Sequence, residues 1–216
     1  MSLALLTLVV PALVGCNSVN SGSTSSSASS VQSKSEIEGK WVSGCAIDGD
    51  ISELYQGVTY YFKDSLSFSG SDYTFMHTIY TDPCVTAALI VVENGTFAVG
   101  GADAQDPSAT DINFIQTSKI ATATSALSSG LGTGVLNGLC HISAQVNVAF
   151  SIAGLSCWAL GSQAQNGGSI QNIFSLSGNN LNFGYSTFGL GNQDVGTLPT
   201  SARPSTLVSG VAFSQI

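Results

Sequence analysis

The sequence is poor in charge, and above all in positive charge. Lys and Arg number 5 among 216 residues, against 13 Asp and Glu, which gives a formal net charge of -8. Such a chain would repel a phosphate backbone rather than hold it, so nucleic acid is not expected as a partner. Charged residues make up 8% of the sequence, where about a quarter is typical. Solubility therefore rests on neutral polar side chains, a balance common in exported β proteins.

No apolar run at the amino terminus is long enough to cross a membrane as a helix. Leu3 to Val14 is an apolar run of twelve residues, whereas a helix needs about twenty to span the hydrocarbon layer. The run does have the length of a signal-peptide core. We therefore expect residues 1–15 to be a signal peptide.

The run ends in Leu13-Val14-Gly15-Cys16, which resembles the bacterial lipobox. The resemblance implies cleavage before Cys16 and attachment of a lipid to its thiol, hence a lipoprotein held at the membrane. Met1 to Leu8 departs from ordinary signals because it contains no Lys or Arg. A general secretory signal, with Cys16 uninvolved, is the alternative. By resemblance to known lipoprotein sorting signals, in which an aspartate after the lipidated cysteine goes with retention at the inner membrane, Asn17 implies delivery to the outer membrane.

Residues 17–35 contain ten serines. Such a composition buries too little apolar surface to fold, so residues 16–35 are expected to be the lipidated cysteine and a disordered tether. From Glu36 the chemistry changes to β-branched and aromatic runs broken by turn residues, which predicts one all-β domain over 36–216. No internal repeat is found.

We predict an antiparallel up-and-down barrel of about eight strands with one short helix; a partly open barrel or a sandwich of the same strand count is the alternative. Hairpin turns are predicted at Ser69-Gly70-Ser71 and Ser177-Gly178-Asn179. Asn94-Gly95 fits either a further hairpin or a glycine bulge in one long strand, and we favour the bulge. A marginal helix is predicted between Ala121 and Gly138. The predicted strands are 39–46, 56–68, 72–82, 86–99, 110–118, 145–152, 169–177, 180–187 and 206–214.

Four cysteines remain after Cys16 is set aside, namely Cys45, Cys84, Cys140 and Cys157. An even set in an exported chain indicates two disulfide bonds. We favour Cys45 with Cys84 and Cys140 with Cys157, because each pair lies within its own half of the chain.

The sequence contains little of what catalysis or metal binding requires. His77 and His141 are its two histidines, and neither a G-x-S-x-G elbow nor a C-x-x-C spacing occurs. A zinc site at Cys140 and His141 is therefore a weak alternative, and His77 is expected on a barrel wall. No catalytic residue, metal or cofactor is predicted.

Two acidic segments, Asp48-Gly49-Asp50 and Asp103 with Asp106, have the character of turns and loops. Their oxygens could also hold calcium, but neither segment has a complete binding-loop pattern.

Gly39-Lys40-Trp41, at the start of the first predicted strand, resembles the G-x-W motif of the lipocalins and other lipocalin-like (calycin-type) β-barrel proteins. In that family the tryptophan closes one end of the barrel and an arginine packs across it. The resemblance implies a structural barrel-end contact between Trp41 and Arg203. Arg203 precedes the last predicted strand, which departs from the family's pattern.

The layout of the chain also resembles a group of uncharacterised bacterial lipoproteins. The segments that carry this resemblance are Gly39-Lys40-Trp41 with Cys45, Tyr80-Thr81-Asp82-Pro83-Cys84, Gly95-Thr96-Phe97-Ala98-Val99-Gly100, Leu139-Cys140, Cys157-Trp158, Leu181-Asn182-Phe183-Gly184 and Arg203-Pro204.

We expect a non-enzymatic protein of the outer-membrane periphery that binds a small apolar or amphipathic ligand in its barrel, because an eight-stranded barrel has room for one such molecule. The alternative is a surface adhesion or envelope-structural module whose barrel is filled by its own side chains. A hydrolase is the third hypothesis. The sequence identifies no ligand and no protein partner.

Overall fold

The computed structural model describes residues 31–49, 52, 59–124, 133, 136–137, 140–157, 161–162, 166–184, 203–207 and 212–216. Cys16 and the signal-peptide segment lie outside these residues. The described elements are α1 (Lys34–Ile37), β1 (Gly39–Ser43), β2 (Ala46–Asp48), β3 (Tyr60–Ser69), β4 (Asp72–Tyr80), β5 (Ala87–Ala102), β6 (Thr110–Ala123), β7 (Ala149–Ser151), β8 (Ser156–Cys157), β9 (Gly161–Ser162), β10 (Ser169–Ser177), β11 (Asn180–Phe183) and β12 (Phe213–Gln215).

Eight of these strands close into an antiparallel barrel. The strand order is β1-β12-β11-β10-β6-β5-β4-β3, and β3 pairs back onto β1 to complete the ring. Around the ring, each of the eight strands lies next to the strand that follows it in the chain. The barrel is therefore up-and-down, as predicted, and is consistent with a lipocalin-like fold. In addition to the ring, β2 pairs with β3 and β7 pairs with β6. β8 and β9 form a separate two-stranded sheet.

Alternation of buried and exposed residues sets which face of each strand points inward. In β5, the side chains of Val91, Glu93 and Phe97 are buried, while the intervening positions are more exposed. Successive side chains of a strand point to opposite faces, so these residues line the interior. The same period places Ile112 and Phe114 of β6 inside the barrel.

β5 runs through Asn94-Gly95 without a turn. Its pairing with β6 shifts register at this step, which confirms the predicted bulge and shows that the hairpin alternative is wrong. A Cβ atom on Gly95 would collide with the carbonyl oxygen of Ile115 and the ring of Tyr73. Glycine is therefore required here by close approach of the neighbouring strands.

The two ends of the barrel differ in how their strands are connected. At one end, here the tight end, two-residue turns join β3 to β4 and β10 to β11, as predicted, and residues 103–109 join β5 to β6. Gly70 and Gly178 in the two short turns have positive φ, which such turns require. At the other end, the loop end, the connections are 44–59, 81–86, 124–168 and 184–212, apart from the short strands within them. The longer connections are thus gathered at one end of the barrel.

Aromatic rings fill the interior of the tight half. The Phe114 ring lies 4.9 Å from Tyr73, 6.3 Å from Phe68 and 6.3 Å from Phe183, measured between ring centroids. These contacts join β6 to β4, β3 and β11, none of which is its neighbour in the ring. Phe68 also contacts Phe97 at 4.7 Å. Rings that meet across the lumen leave it filled at this level, so the tight half is a packed core.

The chain before β1 seals the tight end. Gln32 donates from its backbone to the Thr110 hydroxyl and from its side chain to the Leu176 carbonyl, both at 3.0 Å. Ile37 of α1 is fully buried, and its carbonyl accepts a 2.8 Å hydrogen bond from the Trp41 indole. Residues 31–35, which composition assigned to the tether, thus belong to the folded domain, because they cover the barrel end.

Both disulfide bonds lie at the loop end and have the favoured pairing. Cys45–Cys84 joins the β1–β3 connection to the β4–β5 connection, with the two Cα atoms 5.9 Å apart. Cys140–Cys157 lies within the connection from β6 to β10. Each closed loop restricts the unfolded chain, a contribution of roughly 3 to 4 kcal/mol to stability in the chain-entropy model.

Some predicted boundaries need correction. The predicted helix overlaps the end of β6 at residues 121–123, and most of its remaining residues lie outside those described. The predicted strand 145–152 is reduced to Ala149–Ser151, because strand length depends on pairing partners and not on composition alone. For the predicted strand 180–187, the structure shows Asn180–Phe183, and residues 185–187 lie outside those described.

We expect Phe114→Ala to lower the free energy of unfolding by about 3–5 kcal/mol, since it removes the ring that joins three other strands. Urea denaturation followed by circular dichroism would measure this. Ile115→Ala is the matched control, because Ile115 is the next residue and is 45% exposed; its cost should stay below about 1 kcal/mol. Equal costs for the two variants would show that Phe114 does not hold the core together.

Candidate functional site

The first polar group inside the barrel is a buried ion pair. Lys119 Nζ lies 3.0 Å from Glu93 Oε2, and the two side chains are 2% and 0% exposed. Tyr73 donates its hydroxyl to Glu93 Oε1 at 2.6 Å. Burial, reinforced by the adjacent Glu93 charge, raises the pKa of the Tyr73 phenol, so that it remains a donor. Both oxygens of Glu93 are thus engaged, and the group joins β4, β5 and β6.

The second polar group is a histidine–aspartate pair one layer nearer the loop end. His77 Nδ1 lies 2.6 Å from Asp64 Oδ1, and both side chains are buried. Asp64 and His77 are cross-strand partners in β3 and β4, so their side chains meet on the same inner face. Ser43 of β1 accepts a 2.8 Å hydrogen bond from the Asp64 backbone N–H and fixes this strand position.

The Asp64–His77 pair is incompletely hydrogen-bonded. Asp64 Oδ2 is buried and accepts no hydrogen bond from any described residue. Likewise, no described residue is hydrogen-bonded to His77 Nε2. A buried carboxylate oxygen without a partner carries a desolvation cost, so this pair is a candidate site for a polar interaction.

Apolar side chains surround the pair on the side of the loop end. The Phe62 ring stacks on His77 with centroids 5.6 Å apart and is half-buried. Phe62 pairs with Ile79, and Ile79 pairs with Leu89 on the next strand. We call Phe62, Asp64, His77, Ile79 and Leu89 the dyad face. It combines an apolar surface with a small number of fixed polar atoms, as small-molecule sites do.

The structure does not bring Trp41 and Arg203 together. Arg203 forms an ion pair with Asp111 at 3.3 Å, donates to the Asn113 side chain at 2.8 Å and donates to the Asn172 carbonyl. These partners belong to β6 and β10, on the far side of the ring from β1. Arg203 therefore ties a late segment of the chain to the barrel wall. Burial raises the pKa of Asp111, while the positive charge of Arg203 opposes that shift.

The other predicted site residues lie apart from the dyad face. His141 is exposed with a φ of 53°, and Cys140 is in a disulfide bond, so the weak zinc alternative lacks its thiolate. Asp103 accepts hydrogen bonds from the backbone N–H groups of Gln105 and Asp106, which is turn chemistry. The bond from Asp106 lowers the pKa of Asp103. Across the described part of the chain, no three His, Cys, Asp or Glu side chains cluster as metal ligands.

The hydrolase hypothesis requires a serine beside a histidine. Within the described ranges, no serine hydroxyl is hydrogen-bonded to His77, and Ser43 donates to the Gly44 carbonyl instead. A serine nucleophile needs a base within hydrogen-bond reach. Among the described residues, Asp64 contacts His77 and could orient its ring, and no serine contacts His77.

Sequence reasoning named His77 and missed Asp64. The predicted hairpin contained the necessary signal, because a two-residue turn at Gly70-Ser71 fixes the register that places position 64 opposite position 77. The pairing of Glu93 with Lys119 was less accessible, since the bulge at Gly95 shifts the register between their strands.

No protein-family model matches this chain, and neither does any curated protein sequence. Within the described ranges, no helix is sufficiently long and apolar to span a membrane. A proposal about function therefore rests on the fold and on the dyad face.

We expect Glu93→Leu to lower the free energy of unfolding by about 3–5 kcal/mol, because it leaves the Lys119 charge buried without its partner. The double variant Glu93→Leu/Lys119→Met removes both charges and should recover much of that loss. Urea denaturation of the two variants and the native protein would measure the difference. A double variant as unstable as the single one would contradict this account of the pair.

Proposed function

We propose that this protein is a lipid-anchored protein of the bacterial cell envelope that binds a small amphipathic ligand in the loop half of its barrel, without catalysing a reaction. The observation that carries the proposal is the dyad face, where a buried ionisable pair with free polar atoms lies beside apolar side chains. Apolar side chains combined with a few fixed polar groups are typical of small-molecule sites.

The division of the interior into two halves supports this location. An eight-stranded barrel holds either one small ligand or its own side chains. The ring contacts of Phe114 fill the tight half. Asp64 and His77 lie on the other side of this aromatic core, toward the long connections. The ligand is therefore proposed to enter from the loop end.

The membrane anchor is proposed from the lipobox resemblance at Cys16. The folded domain begins at the tight end, where Gln32 is held by β6 and β10. A lipid on Cys16 would thus draw the tight end toward the membrane, and the loop end would face away from it. Such an orientation turns the loop end, with its long connections, toward solutes. Asn17 supports the outer membrane as the location.

A surface-interaction role is the second candidate, and one observation favours it. Ile47 and Val85 are 59% and 80% exposed, and they lie two and one residues from the two ends of the Cys45–Cys84 disulfide bond. Exposed apolar side chains near a rigid crosslink suit contact with a partner protein. This role would use the outside of the loop end and would not require the dyad face.

Lipidation is tested by Cys16→Ser. The variant should lose incorporation of labelled palmitate and leave the membrane fraction of expressing cells, because the acylated thiol is absent. Cys45→Ser is the matched control, since it removes a cysteine that belongs to a disulfide bond, and it should keep the label. Palmitate incorporation into the Cys16→Ser variant would refute the proposed anchor.

Ligand binding is tested on the unacylated mature chain, exported behind a cleavable signal with Cys16→Ser. We expect native mass spectrometry with lipid extracts to show one bound small amphiphile per chain. Phe62→Ala should weaken binding by roughly ten-fold, because it removes the ring stacked on His77. Tyr61→Ala changes the adjacent aromatic residue on the outer face and should not alter binding. Equal effects of the two substitutions would place the ligand elsewhere.

A further inference from the structure

The two disulfide bonds of the loop end differ in how far solvent reaches them. Cys140 and Cys157 are 4% and 0% exposed and belong to the hydrophobic core. Cys45, by contrast, is exposed, and its partner Cys84 is half-buried. A thiol opens a disulfide bond by approaching one of its two sulfur atoms. An external thiol can therefore reach the Cys45–Cys84 bond in the folded protein, whereas the other bond is shielded until the core opens.

The two sulfur atoms of the Cys45–Cys84 bond have different surroundings. Cys45 follows exposed Gly44, where an added Cβ atom would meet nothing within 4 Å. Cys84 Sγ lies 3.4 Å from the carbonyl oxygen of Phe62 on β3. The Cys45 sulfur is thus the one open to attack, and the Cys84 sulfur is the leaving group.

We propose that the Cys45–Cys84 bond is a redox site at which a dithiol reductant releases β2, while the Cys140–Cys157 bond stays oxidised. A thiolate of the reductant attacks Cys45 Sγ and forms a mixed disulfide, and Cys84 leaves as a thiolate that takes a proton from water. The second thiol of the reductant then displaces Cys45 as a free thiol and closes the reductant's own disulfide. Two electrons thus pass from the dithiol to the protein.

The effect of reduction on β2 follows from what the bond connects. Cys45 directly precedes β2, which pairs with β3 over the three residues Ala46–Asp48. So short a pairing opens locally at low cost, and the crosslink beside it holds β2 in place. The eight strands of the closed ring contain neither Cys45 nor Cys84. Reduction therefore frees β2 and leaves the barrel closed.

The other side of the bond is held by its own turn. Asp82 Oδ1 accepts hydrogen bonds from the backbone N–H groups of Val85 and Thr86, at 3.0 and 2.6 Å. The Thr81 N–H donates to the Thr86 carbonyl at 3.2 Å. Side-chain contacts of this kind stabilise a turn from within. Residues 81–86 should therefore keep their conformation after the bond opens.

The test uses the oxidised, unacylated mature chain with Cys16→Ser, treated with dithiothreitol and alkylated with iodoacetamide at successive times. Cleavage after lysine places Cys45, Cys84 and the buried pair on three different peptides. We expect Cys45 and Cys84 to be alkylated at least about ten-fold faster than the buried pair, because access limits thiol exchange. In urea that unfolds the chain, the two bonds should react at similar rates, which checks that the contrast comes from the fold.

The attacked sulfur is identified with 2-mercaptoethanol, which has a single thiol. After brief exposure, acid quenching and digestion with pepsin at low pH, mass spectrometry should find the mixed disulfide on Cys45. An adduct mainly on Cys84 would overturn the assignment of the attacked sulfur.

Hydrogen exchange then compares the oxidised chain with the selectively reduced one. The amides of 46–48 should exchange at least about ten-fold faster after reduction, while those of 82–86 and of the ring strands stay unchanged. The double variant Cys45→Ser/Cys84→Ser, which cannot form the bond, should reproduce the reduced pattern.

Equal rates for the two bonds, faster reduction of the buried bond, or no reduction of either in the folded protein would overturn the redox site. Selective reduction that leaves the exchange of 46–48 unchanged would overturn the release of β2. Faster exchange throughout the ring strands would overturn the barrel's independence of the bond. The inference does not depend on the proposed ligand or on lipidation, and its failure would leave both standing.

Discussion

The barrel is closed by β1, a strand of five residues that pairs with β3 on one edge and with β12 on the other. This double pairing brings the two ends of the folded domain side by side. Within β1, Trp41 pairs with Leu66 of β3 on one side and with Gln215 of β12 on the other. Loss of either pairing would leave open strand edges, which expose unpaired backbone groups. The separation of the interior from solvent therefore depends on this short strand.

The two halves of the barrel differ in how completely strands enclose them. β10, β11 and β12 are paired along the tight half, where Phe174, Leu181 and Phe213 complete the buried core. Toward the loop end, β6 loses β10 as its neighbour and pairs with β7 instead. A full ring of strands thus surrounds the aromatic core, whereas the loop half is bounded partly by connections. Sites built on rigid strands beside variable connections are common in binding proteins.

The sequence predicts the strands and the disulfide pairing well because both depend on local signals. Alternation along 60–69 and 72–80, together with a turn that needs positive φ at Gly70, fixes a hairpin from neighbouring residues. The position of Arg203 could not be found in this way. Its partners Asp111 and Asn172 are far away in sequence and meet it through the closed barrel, so a three-letter motif resemblance placed it against the wrong side chain.

The same distinction applies to the candidate site. His77 is conspicuous because histidine is rare in this chain, but its meaning depends on the residue opposite it. Asp64 becomes a partner once the register of β3 and β4 is known. The depth of both residues in the barrel depends in turn on closure by β1, a contact distant in sequence. Periodicity indicates which face of a strand is apolar, and does not indicate which polar residues will be buried with it.

The two buried polar groups inside the barrel differ in how completely their hydrogen-bonding atoms are satisfied. Glu93 has one oxygen bonded to Tyr73 and the other beside Lys119, so the desolvation cost of its charge is offset within the protein. Asp64 has one oxygen bonded to His77 and the other without a described partner. A chain in which 8% of residues are charged nevertheless places both groups inside its barrel. The complete group fixes the packing of three strands. The incomplete one keeps a buried carboxyl oxygen without a hydrogen-bond partner among the described residues.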